Sequence, residues 1–125
     1  MTGYEVLEQA LCLLHYTDND GHPDSRLWAD TDRQGLAAVN QVYAELWYAH
    51  RRDAFTPLAR LSDPLALTDQ SAREAMPLGV AMWMAQGEGD AAQQAVMAQA
   101  YTQKRNRVTP PAARRQDVLP RGEWV

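Results

Sequence analysis

The chain reads as an all-α protein, a four-helix antiparallel bundle or a close variant with one short extra helix, followed by an extended C-terminal tail. Three observations predict this. Apolar residues recur at helical spacing in four separate stretches, no stretch alternates with the two-residue period of a strand, and each helical stretch is bounded by capping or turn residues. At 125 residues the chain has the length of one domain, with enough surface to bury for a core that needs no metal or disulfide.

The first stretch opens with Thr2-Gly3-Tyr4-Glu5, a capping box in which Thr2 is the N-cap and Glu5 reaches back. Leu7, Ala10, Leu11 and Leu14 follow on one face, so a helix is expected from Tyr4 to about Tyr16. Thr17 to Pro23 is dense in Asp, Asn and Gly and ends it. Asp24 or Ser25 caps the next stretch, where Leu27, Trp28, Leu36, Val39, Val42, Tyr43, Leu46 and Trp47 mark a face reaching about Arg51. Gly35 weakens this helix and Asp30-Thr31-Asp32 can restart it, so it reads as one helix or two.

Residues 53–67 form a connection broken by Pro57 and Pro64 and pinned by Leu58, Leu61, Leu65 and Leu67. Thr68 or Asp69 caps a third helix carrying Ala72, Ala75, Met76, Val80, Trp83 and Met84, with a kink expected at Pro77. Gly87-Glu88-Gly89-Asp90 closes it and supplies an N-cap for the fourth, which presents Ala91, Ala95, Ala98 and Tyr101 and runs to about Arg107. From Thr109-Pro110-Pro111 the chain is expected to be extended. This divides it into a helical domain, 1–107, and a basic tail, 108–125.

The charge is unevenly spread. Lys104, Arg105, Arg107, Arg114, Arg115 and Arg121 face only Asp117 and Glu123, so residues 104–125 carry +4. The other six basic residues face fourteen acidic ones, so residues 1–103 carry −8. An acidic body with a basic tail suggests two surfaces with different partners.

The residues give no catalytic, cofactor or metal site. Gly87-Glu88-Gly89 lacks the further glycine and the preceding strand of a nucleotide loop. His15, His22 and His50 do not stand at metal-ligand spacing and read as three unrelated histidines. Cys12 and His15 share a helix at i, i+3, which permits a nucleophile and its base, but between Leu11 and Leu13 the cysteine reads first as a small, partly buried core residue. The acid pairs Asp18/Asp20 and Glu88/Asp90 read as turn and cap residues. The single cysteine excludes an internal disulfide, no apolar run is long enough for a spanning helix, and the N-terminus lacks the features of a signal peptide, which points to a protein made inside the cell. The chain is therefore expected not to be an enzyme.

Among the aromatics, Trp28, Tyr43, Trp47 and Trp83 read mostly as core. Tyr48, off the Tyr43–Leu46–Trp47 stripe, reads as a surface contact. Trp124 follows a proline-rich stretch one residue from the end, where it can anchor in a partner's pocket or fold back on its own bundle.

Several segments in order carry a resemblance. They are Glu8 to Leu14, Ala37 to Trp47, Leu61-Ser62-Asp63-Pro64-Leu65-Ala66-Leu67, Ala75-Met76-Pro77-Leu78-Gly79-Val80-Ala81, Glu88-Gly89-Asp90, and Tyr101-Thr102-Gln103-Lys104-Arg105. Over about residues 5–106 the chain resembles the head-to-tail connector proteins of tailed bacteriophages, also called adaptor, neck or head-completion proteins. The resemblance implies a virion structural protein at the head–tail interface, made in the host bacterial cytoplasm. It implies a ring, often of twelve copies, between the portal protein and a tail or stopper protein, helping to retain packaged DNA that passes through without specific binding. It also implies that the C-terminal segment reaches along the portal, which places portal contact at Arg107, Arg114, Arg115, Arg121 and Trp124. No cofactor and no membrane enter this reading. The rival reading is a small helical regulatory module that binds a host or phage protein through its basic tail. Nucleic-acid binding is disfavoured by a net charge of −4 and a pI near 5.2.

Overall fold

The computed structural model describes residues 1–17, 32–50, 54–67 and 70–108. Within them lie four helices: α1 (Gly3–Leu13), α2 (Asp32–His50), α3 (Gln70–Gly87) and α4 (Ala91–Arg105). The expected all-α bundle is the observed fold. The 18–23 turn, Leu27, Trp28, the caps at Asp24, Ser25, Thr68 and Asp69, and the tail beyond Val108 lie outside the described residues.

α1 starts at the expected N-cap, with Thr2 Oγ1 accepting from the Glu5 amide at 3.3 Å. It buries Val6, Leu7, Ala10 and Leu11, with Leu14 just beyond its end. It stops at Leu13, three residues short of the expected end, because His15 turns the backbone left-handed (φ 60°). The Tyr16 amide then reaches back to Leu11 O at 2.9 Å and the His15 amide to Cys12 O at 3.1 Å. This pair of bonds is the Schellman arrangement that satisfies the last carbonyls of a helix.

The same device, with the expected glycine, closes α3. Gly89 has φ 72°, its amide bonds Gln86 O at 3.1 Å, and the Asp90 amide bonds Ala85 O at 2.9 Å. Asp90 also begins α4 by accepting from the Gln93 amide at 3.2 Å. Three residues, 88–90, thus end one helix and start the next, which forces α3 and α4 into an antiparallel hairpin. The Tyr16 hydroxyl donates to the second Asp90 carboxylate oxygen at 3.2 Å, tying the end of α1 to this turn.

α3 is the central element. It packs against each of the other three helices, most extensively against α4, while α1 and α2 touch over a smaller area. Its sequence suggests one apolar face, yet Ala72, Ala75, Met76, Pro77, Gly79, Val80, Ala81, Met84 and Ala85 are all buried. A helix buried nearly all round needs small side chains where neighbours press in. Gly79 shows why: a Cβ there would stand 2.8 Å from Tyr101 Cε1 on α4 and 2.8 and 2.9 Å from the Val42 methyls on α2. The helix continues through Pro77, which denies the Arg73 carbonyl its usual helical donor.

α2 buries Val39, Val42, Tyr43, Leu46 and Trp47 as its periodicity requires. α4 departs from expectation. Ala91 and Ala95 are exposed, and the buried residues are Met97 and Tyr101, whose larger side chains gain more from leaving water than alanine does.

The 54–67 connection behaves as an ordered part of the core. Leu58, Leu61 and Leu67 are buried and Leu65 is half-buried. Asn40 on α2 grips Leu58 twice, donating from Nδ2 to Leu58 O (3.0 Å) and accepting the Leu58 amide at Oδ1 (2.8 Å). The Tyr43 hydroxyl accepts the Ala66 amide at 3.0 Å. At the other side the Tyr4 amide donates to Leu61 O (2.9 Å) and the Leu65 amide to Met1 O (2.8 Å). Phe55 meets Tyr43 edge to face at 5.1 Å and lies 6.2 Å from Trp47 and 6.0 Å from Tyr48, ring centre to ring centre.

Candidate interaction site

An open groove of about 1160 Å³ lies between α1 and α3. α1 contributes Glu5, Glu8, Cys12 and Leu13, which share the helix face opposite its buried stripe. α3 contributes Arg73, Glu74, Pro77 and Leu78. Lys104, in the last turn of α4, closes one side, with Nζ 3.4 Å from Glu74 Oε2. Cys12 is exposed rather than partly buried as expected. The reason is angular: the buried stripe Val6–Leu7–Ala10–Leu11–Leu14 turns residues 12 and 13 outward, and Leu13 is 41 % exposed.

A second polar feature joins α4 to α2. The Tyr101 hydroxyl donates to Glu45 Oε2 at 2.9 Å, Arg105 reaches the same oxygen at 3.4 Å, and the Arg105 guanidinium carbon lies 5.6 Å from the Tyr101 ring centre. Burial, then the adjacent Glu45 charge and its hydrogen bond, push the Tyr101 hydroxyl well above the usual tyrosine range, with Arg105 acting in the opposite sense. Tyr16 is raised more mildly, by burial first and by Asp90 second.

Of the residues expected to contact a partner, Arg107 is exposed just after α4, its amide bonded to Lys104 O at 3.1 Å. Arg114, Arg115, Arg121 and Trp124 lie outside the described residues, as do His22 and the Asp18/Asp20 pair. Val108, placed at the start of the tail by sequence, is 6 % exposed and belongs to the core. Tyr48 is 63 % exposed, in keeping with a surface position. Asp90 is the cap it was expected to be. Among the described residues no group of three His, Cys, Asp or Glu side chains is placed to hold a metal ion, and no helix is long and apolar enough to cross a membrane.

Sequence reasoning missed the groove because it depends on which faces of α1 and α3 stay uncovered, a property of packing. The usable signal was Glu5, Glu8 and Cys12 at i, i+3 and i+7, a non-core stripe along α1. No family model matches the chain, and no curated protein or solved structure is significantly similar to it.

Proposed function

We propose that the chain is a head-to-tail connector subunit of a tailed bacteriophage, a virion protein that forms a ring with its own copies between the portal and the tail. The observation that supports this reading is how the segments carrying the resemblance take part in the bundle. They fall in turn on α1, α2, the 54–67 connection, α3, the α3–α4 turn and α4. They supply Asn40, Glu45, Gly79, Asp90, Tyr101 and Arg105, which hold those elements to one another. A pattern spread over unrelated surface positions would have no such internal role.

In this reading the basic segment anchors the subunit to the portal through Arg107, Arg114, Arg115, Arg121 and Trp124. Arginine forks pair with portal carboxylates, and the tryptophan fills an apolar pocket. Residues 1–103, at −8, repel phosphate, so a ring of such bodies lets packaged DNA pass without gripping it. A head-to-tail ring uses two different patches on each subunit.

Co-sedimentation with the portal ring from the same source tests the proposal, comparing the full chain with one ending at Val108. That boundary keeps the buried Val108 in place. The expected result is that the full chain travels with the portal and the shortened one does not. If both travel, the bundle makes the contact and the tail assignment is wrong. If neither does at moderate salt, the connector reading is overturned in favour of a small regulatory module that uses its basic tail on another protein.

A further inference from the structure

We infer that a second copy of the chain docks on the exposed face of α2, each copy seating Tyr48 in a pocket beside Trp83 of the other.

Spacings of three and four residues set Gln34, Ala37, Gln41, Ala44 and Tyr48 along one line of the α2 surface. All are exposed except Ala44, which is half-buried. The N-terminal half of this line is hollow. Ala37 and Ala38 on α2, with Trp83, Met84 and Gly87 on α3, line a pocket of about 320 Å³. The space exists because α2 offers only two methyl groups there, and Gly87 has nothing within 4 Å of where a Cβ would stand. A cavity of about 150 Å³ already holds a benzene ring, so this one has room for a phenol.

The C-terminal half carries the matching knob. Tyr48 is the most exposed large apolar side chain among the described residues, and its ring is backed by Phe55, 6.0 Å away centre to centre. A braced tyrosine loses little freedom on docking and is a favoured anchor at protein interfaces. Trp83 supplies a second, independent observation. Its Nε1–H is buried with no hydrogen-bond partner, and a seated Tyr48 hydroxyl brings an acceptor to the pocket that Trp83 lines.

A knob and a hollow on one helix line satisfy each other twice about a two-fold axis. An antiparallel pair of α2 helices that sets Tyr48 against Ala37 also sets Ala44 against Gln41, and the small alanines let the helices approach closely. The line carries no charge, and Glu45 beside it is engaged by Tyr101 and Arg105. Two chains of net charge −4 can therefore meet here without opposing like charges. The 19-residue helix is about 28 Å long, and one such pair covers less than the roughly 1,200–2,000 Å² of a stable complex. Association is accordingly weak, on the order of hundreds of micromolar. The contact uses one patch and closes on itself, so it is separate from the head-to-tail contacts of a ring and does not rest on the connector reading.

Sedimentation equilibrium of the full chain alone, from about 10 µM to about 1 mM, tests this. The mean mass is expected to rise from the 14.0 kDa of one chain toward twice that value and to level there. Tyr48→Ala and Ala37→Arg, both at exposed positions, should each weaken association at least tenfold, and mixing the two variants should restore part of it, since the mixed pair keeps one intact knob and hollow. Val96→Ser, at an exposed position on α4, should leave it unchanged. In ¹⁵N spectra the Trp83 indole signal, assigned with Trp83→Phe, should move as concentration rises, and less so in Tyr48→Phe. A chain that stays monomeric to about 1 mM overturns the inference. So does a mass that climbs past two copies, which marks a head-to-tail contact, and so does a dimer that forms equally well in Tyr48→Ala or leaves the Trp83 indole signal in place.

Discussion

Replacing Asn40 with alanine removes a clamp whose two hydrogen bonds, 2.8 and 3.0 Å, satisfy both backbone groups of Leu58. Leu58 is 7 % exposed, so those groups have little water to turn to. Each buried donor or acceptor left without a partner costs about 1–3 kcal/mol. Asn40 itself is half-buried, and the space its amide vacates can admit a water, which places the sum near the lower end, about 3 kcal/mol. For a domain of this size that is roughly a 10 °C fall in Tm. Thermal and urea unfolding followed by circular dichroism at 222 nm measure it, with the urea m-value expected to stay constant. Asn40→Asp should be no better than alanine. A carboxylate can still accept the Leu58 amide but has no donor for the carbonyl and sets a negative charge against it. Gln41→Ala is the control, since its bond to Glu45 is exposed and long at 3.5 Å, and its cost should stay below about 0.5 kcal/mol. If Asn40→Ala is as stable as Gln41→Ala, the clamp is not holding the connection and the argument fails.

Three other expectations follow from particular contacts. Gly79→Ala should destabilise by about 1–2 kcal/mol, because crowding against Tyr101 and Val42 outweighs the roughly 1 kcal/mol helix gain, whereas Gly87→Ala meets nothing within 4 Å and should be neutral or mildly stabilising; equal stability of the two variants in urea would contradict this. His15→Gly should stabilise by about 0.5–1 kcal/mol by removing the cost of a left-handed residue with a Cβ, and His15→Val should destabilise; a melting order with valine above glycine would count against the Schellman assignment. Tyr101 and Tyr16 hold their protons more tightly folded than unfolded, so their contribution is complete below the ordinary tyrosine pKa of about 10 and is lost as pH rises above it. Alkaline titration at 295 nm should lose its late-ionising component in Tyr101→Phe, and the same variant should weaken the alkaline loss of stability.

The parts of the fold legible in the sequence are those set by short-range chemistry. Thr2 and Asp90 announce their caps, Gly89 marks its left-handed turn, and the stripes Leu7–Ala10–Leu11–Leu14 and Val39–Val42–Tyr43–Leu46 give the buried faces of α1 and α2. What escaped depends on packing between elements. Nothing local says that His15 takes the conformation glycine takes in the second Schellman turn. The burial of α3 on nearly all sides follows from three neighbours, and so does the use of Met97 rather than Ala95 on α4. Phe55 lies in a proline-broken connection with no period to flag it, yet it joins Tyr43, Trp47 and Tyr48. The groove was illegible for the same reason, although its α1 stripe was in view, and the charge division between body and tail could be read directly.

The burial of Val108 has a mechanical consequence. A pull applied to the segment beyond it is not received by a loose end. The load enters the fold at a core residue and is passed at once to the last two turns of α4, where Tyr101 and Arg105 hold Glu45 on α2 and Lys104 holds Glu74 on α3. A chain that ended its packing at Arg105 would instead be peeled from its tip, one contact after another.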